Sequence, residues 1–140
     1  MTEQNKNPLD LLPETTAKLM KSISGKKQGS IDDLICCHLY GIAGDWYLSE
    51  ISKDRHIAFG FRIINCEPVW EMDSWLPNSC EWGEVSIKDL QELVNEKFLK
   101  EKDIRFLITR DLFWEPIKFS DINTEHNTLL YPGTTDRNLS

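Results

Sequence analysis

The stretch from Asp45 to Phe61 constrains this chain more than any other, because it holds two apolar, aromatic runs on either side of a short polar turn. Successive side chains of an extended strand point to opposite faces. That puts Trp46, Leu48 and Glu50 on one face and Tyr47, Ser49 and Ile51 on the other. Ile57, Phe59, Phe61 and Ile63 repeat at the same period of two. Ser52 to His56 is polar and short enough to reverse the chain. The pattern predicts a β-hairpin at the centre of a small sheet.

The flanking segments extend it. Leu34 to Tyr40 is an apolar run of strand length, and Gly41 to Gly44 turns the chain into Trp46, giving a meander over 34–40, 46–51 and 57–64. Cys80 to Val85 and Ile104 to Thr109 are further strand candidates, and Leu112 to Phe119 reads as another extended piece. Pro13 suits a first helical turn, so a helix is expected over Pro13 to Ser22, followed by a flexible loop, Ser24 to Ser30. Ser86 and Asp89 approximate a capping box ahead of the stripe Ile87, Leu90, Leu93, Val94 and Phe98, which predicts a helix over Ser86 to Phe98. The expected fold class is α+β: an antiparallel sheet of about four or five strands with two helices packed on one face. A chain of 140 residues suits a single domain, placed at 1–121. Residues 122–140 are polar and unpatterned and are expected to form a loosely ordered tail.

The apolar fraction, 40%, and the charged fraction, 28%, are those of a soluble globular protein. The N-terminus carries no apolar signal region, and no run approaches the ~20 apolar residues of a membrane span. A cytoplasmic protein with reduced thiols is expected. With a net charge of −7 and Lys26-Lys27 as the only adjacent basic pair, direct nucleic-acid binding is disfavoured.

Five segments together resemble a family of small bacterial proteins of unknown function carried on plasmids and integrative elements. They are Leu11 to Leu19 (LLPETTAKL), Trp46 to Ser52 (WYLSEIS) with Ile57 to Gly60 (IAFG), Glu81 to Leu93 (EWGEVSIKDLQEL), and Ile108 to Pro116 (ITRDLFWEP). The resemblance implies an accessory protein of a mobile element and supplies no catalytic residues. Glu84 stands where that family commonly has an aromatic residue, and Thr109 where it has Glu.

Chemistry-bearing residues are scattered. Cys36, Cys37, His38, Cys66 and Cys80 lack the paired spacing of a zinc site, and adjacent Cys36 and Cys37 diverge on a strand. They read as core residues, and no metal or other cofactor is expected. His38, His56 and His126 fall in no nucleophile elbow, and no phosphate-cradling glycine loop is present. Asp45, Glu50 and Lys53 loosely match the acid-acid-lysine set of metal-dependent nucleases. A metal-dependent hydrolase or nuclease using Glu50 with Asp45 or Asp111 is therefore the alternative function.

The most distinctive stretch is acidic and aromatic. Between Glu67 and Glu96 eight acids face the single base Lys88, a local balance of −7 that equals that of the whole chain. Trp70, Trp75 and Trp82 are interleaved with Glu71, Asp73, Glu81 and Glu84. The bland reading is a solvated helix face beside core indoles. Imitation of DNA charge is another. Tryptophan anchors rimmed by charge suit a protein partner with a basic surface, such as a host-defence or DNA-processing protein. The expected function is a non-enzymatic, protein-binding accessory factor of a bacterial mobile element.

Overall fold

The computed structural model describes residues 6–41, 44–65, 77–96 and 108–122. Its centre is the predicted hairpin, β4 (Gly44–Ile51) and β5 (Ile57–Asn65). The turn is held by its own side chains. Ser52 Oγ donates to Asp54 Oδ1 at 2.7 Å and accepts from Ile57 N at 3.0 Å. Asp54 Oδ1 also accepts from His56 N at 2.9 Å, while Arg55 occupies the left-handed region at φ 63°. The Ser52 hydroxyl and the His56 amide hold the Asp54 carboxyl below its ordinary value.

A register shift between Leu48 and Glu50 changes which residues share a face. Tyr47 pairs with Phe61 and Leu48 with Gly60, but Glu50 pairs with Phe59 and Ile51 with Ala58. Ser49 is the extra residue, and its buried hydroxyl donates to Phe59 O at 3.2 Å. Glu50 therefore lies on the Tyr47 face and Ile51 on the Leu48 face, the reverse of simple alternation. Gly60 sits at this point because a Cβ there would overlap the Tyr47 carbonyl oxygen.

Other elements flank the hairpin: α1 (Glu14–Ala17), β1 (Lys21–Ser22), β2 (Leu34–Ile35), β3 (Cys37–Gly41), β6 (Pro77–Ser86), α2 (Ile87–Glu96), β7 (Ile108–Arg110) and β8 (Ile117–Lys118). The main sheet has six strands, one more than the upper expectation. Five run in the order β6-β5-β4-β3-β7, all antiparallel, and β1 joins β4 in parallel alongside Glu50 and Ile51. A separate ribbon pairs β2 with β8.

Each face of the sheet carries a buried cluster. One cluster contains Leu11, Leu12, Leu39, Trp46, Leu48 and Val94; the other contains Ile35, Tyr47, Phe61, Ile63, Phe119 and Ile122. Ile122, the first residue of the expected tail, thus belongs to the core, and the rest of that tail lies outside the described residues. Arg110 ties the two ends of the described chain. Its amide donates to Pro8 O at 2.8 Å, its Nε to Asp10 O at 2.9 Å and its NH2 to Asn7 O at 3.1 Å.

Two expectations need correction. The first helix is one turn, and the chain then becomes extended at β1, where Ile23 N donates to Ile51 O at 3.1 Å. Strand pairing wins over the weak propensity of a segment carrying two β-branched threonines, Thr15 and Thr16. The loop from Ser24 to Ser30 is tethered rather than free: Ser24 is bonded to Glu50, Lys26 to Asp33, and Gly29 packs on the Trp82 ring. The second helix forms as expected within the described residues, with Ser86 Oγ accepting from Asp89 N at 3.2 Å. Among the described residues no helix is long and apolar enough to cross a membrane.

Candidate functional site

Strand pairing assembles a polar and aromatic cluster around His38 on β3. His38 lies across from Tyr47, and its Nε2 is 2.8 Å from Asp45 Oδ1. Its Nδ1 is 3.4 Å from Asp111 Oδ2, just beyond β7. Both contacts are hydrogen bonds only when both ring nitrogens carry hydrogen. The ring stacks on Tyr47, lies 5.3 Å from Tyr40 and 5.1 Å from Trp114, whose Nε1 donates to Ile35 O at 3.0 Å. Burial, together with the Asp45 and Asp111 carboxylates, pushes the Tyr47 phenol up and keeps it protonated.

This geometry limits the chemistry. A general base needs a nitrogen free to meet substrate, and both of His38's face carboxylates. A cation needs converging oxygens, whereas these carboxylates sit against opposite nitrogens of one ring. Among the described residues no group of three or more His, Cys, Asp or Glu side chains could hold a metal ion.

Asp111 also builds the adjoining turn. Its amide donates to His38 O at 2.9 Å, its Oδ1 accepts from Phe113 N at 3.0 Å, and its carbonyl accepts from Trp114 N at 3.3 Å. The turn holds Phe113 93% exposed beside the half-exposed Leu112. Phe113, Leu112 and the exposed Leu19 line a cleft of about 510 Å³ together with Cys36, Cys37 and Arg110. Burial pushes the Cys37 thiol up to about 12, so it is no nucleophile at neutral pH.

The alternative hydrolase set does not come together as a unit. Asp45 is the second residue of β4 and Glu50 is near its other end, while Lys53 is exposed in the turn. Glu50 is 6% exposed and its oxygens accept from Ser24 N at 3.0 Å and Ser24 Oγ at 3.1 Å. Lys26 Nζ lies 3.4 Å from Glu50 Oε2, 2.8 Å from Asp33 Oδ2 and 5.7 Å from the centre of the Phe59 ring. Burial acts to lower the Lys26 pKa, but Asp33 and Glu50 outweigh it and hold the amine above its ordinary value. Glu50 thus anchors a loop. Asp45 and Asp111 do meet, but around His38.

Of the acidic, aromatic stretch, Trp70, Glu71, Asp73 and Trp75 lie outside the described residues, as do Cys66 and His126. Glu81 and Glu84 are exposed on β6, and Glu81 pairs with Arg62 NH2 at 3.1 Å. Trp82 is half-buried, its ring 4.7 Å from Phe119, 5.5 Å from Phe61 and 5.9 Å from Phe59, so its indole belongs to the core. No sequence spacing joins His38, Phe113 and Trp114 into one site. Alternation puts His38 and Tyr40 on a common face, but Asp111 reaches them through a contact 73 residues away.

No protein-family model matches the chain, and no curated protein or solved structure matches it.

Proposed function

We propose that this protein is a non-enzymatic factor that binds another protein, with the Phe113 turn as an anchor. The observation that carries the reading is Phe113 itself. It is 93% exposed on a turn whose backbone is fixed by Asp111 and His38, beside Leu112, at the rim of a cleft. A solvated phenyl ring on a pre-organised turn gains burial on binding at little ordering cost. The setting implied by the resemblance, a mobile element in the bacterial cytoplasm, belongs to the same proposal. So does a basic partner, which the net charge of −7 and the exposed Glu81 and Glu84 favour. The placing of both helices on one face also belongs here; Ala17, Leu90 and Val94 all pack in the first cluster.

The test is affinity capture from the source organism's lysate with the wild type and with Phe113→Asp, followed by mass spectrometry. A protein held by the wild type and lost with a folded Phe113→Asp variant supports the reading. Equal capture by both removes the turn as an anchor.

A further inference from the structure

The outer edge of β6 has a definite hydrogen-bonding phase. β6 pairs with β5 from Ile57↔Ser86 to Asn65↔Pro77, and Ile87 N donates to His56 O at 2.8 Å. Antiparallel pairs alternate between bonded and non-bonded, so Glu81, Gly83 and Val85 turn their N–H and C=O toward β5. Cys80, Trp82 and Glu84 turn theirs outward. Ser52 N donating to Ile57 O at 2.8 Å fixes the same phase from the β4 side.

One outward group is already taken. Arg62 NH1 donates to Glu84 O at 3.0 Å, reaching across Gly83, where a Cβ would stand only 3.3 Å from the guanidinium carbon. The amides of Trp82 and Glu84 and the carbonyl of Trp82 have no partner among the described residues. A strand at a sheet edge with open backbone groups at Trp82 and Glu84 is a template for a further strand. Charge selects the occupant. Glu81 and Glu84 are exposed along this strand, Arg62 forms an ion pair with Glu81 alone of the two, and the net charge of −7 opposes the approach of a second copy.

We propose that the β6 edge accepts an added strand from an extended, basic segment of a partner protein, bonded to the backbone of Trp82 and Glu84. The proposal rests on the binding reading above and names the chemistry of the partner. It uses the edge of the sheet opposite the Phe113 turn, so the two fail separately.

The probe is a synthetic peptide of alternating Lys and Val, with an alternating Glu and Val peptide as control. Hydrogen exchange of individual amides, followed by NMR, reads the edge directly. The basic peptide should slow exchange at Trp82 and Glu84 and the acidic one should not. Glu84→Pro removes the outward N–H while sparing the β5 ladder, and should weaken binding about tenfold, the worth of one lost hydrogen bond. The second variant, Glu81→Lys/Glu84→Lys, keeps every amide and should transfer the preference to the acidic peptide. Unchanged exchange at Trp82 and Glu84 with the basic peptide overturns the proposal. So does protection of those amides that grows with protein concentration alone, which identifies a second copy as the occupant. Loss of Phe113-dependent capture with β6 protection intact overturns only the Phe113 anchor.

Discussion

The imidazole of His38 lies almost parallel to the phenol ring of Tyr47, with centroids 4.5 Å apart and planes 4° apart. The stack fixes the imidazole between Asp45 on one side and Asp111 on the other, and Asp111 in turn shapes the loop that projects Phe113. His38 is thus the joint between the sheet and the exposed loop.

Replacing His38 by Ala should remove the stack and leave two carboxylates without the imidazole they share. A loss of about 1–3 kcal/mol is expected, since both carboxylates are partly solvated. Urea unfolding measures it. Amide exchange at Phe113 should quicken in the same variant; an unaltered rate would mean that the turn holds without His38.

Phe59 is 1% exposed, with Trp82 stacked at 5.9 Å and the Lys26 amine above its ring. Phe59→Ala should cost about 3–5 kcal/mol, the range for truncation of a buried phenyl ring. A urea midpoint shift corresponding to less than ~1 kcal/mol would contradict the burial described.

Glu50→Ala should cost about 2–4 kcal/mol, because it strands the Ser24 donors and half of the Lys26 ion pair beside a buried surface. Its second signature is local. Trypsin should cut after Lys26 or Lys27 faster than in the wild type, as the loop loses its tether, while Glu50→Gln should fall between the two.

Cys37 links stability to pH. Its thiol titrates at about 12 when folded, because burial disfavours the thiolate, against an ordinary value near 9. The folded value is the raised one, so this contribution is fully present below about pH 9 and declines as pH rises toward 12. Between those limits the unfolded chain gives up a proton that the folded one keeps, a slope of about −1.4 kcal/mol per pH unit. Urea melts of wild type and Cys37→Ser across pH 8 to pH ~11 should diverge in that sense. Parallel curves would show a thiol accessible to water.

The hairpin, the β3 strand and the second helix were legible in the sequence because each carries its period over several residues: Ile57, Phe59, Phe61 and Ile63 for β5, and Ile87, Leu90 and Val94 for α2. The face assignment of Glu50 failed because the extra residue at Ser49 has no local signature. Nothing in one strand's own sequence states how many residues its partner opposes. The first helix failed because one turn of helix and a two-residue strand carry too few residues to establish a period. The His38 cluster was half visible. Asp45 and Asp111 stand out in the sequence as partners for Glu50, not for His38, since only the β3–β7 pairing brings Asp111 beside His38.

Arg110 gives the molecule an order of events during synthesis. Its bonds to the carbonyls of Asn7 and Asp10 span about a hundred residues of chain. At roughly 5–20 residues per second, the segment carrying Leu11 and Leu12 waits about 5–20 s on the ribosome before its clasp emerges. From their own synthesis until then, Leu39, Trp46 and Leu48 lack the cover that the fastened Leu11 and Leu12 supply. The hairpin, built from near neighbours, has no such delay. The final fastening of the segment carrying Leu11 and Leu12 therefore waits until Arg110 has emerged, and a chain stopped before Ile108 would expose this surface for as long as it persists.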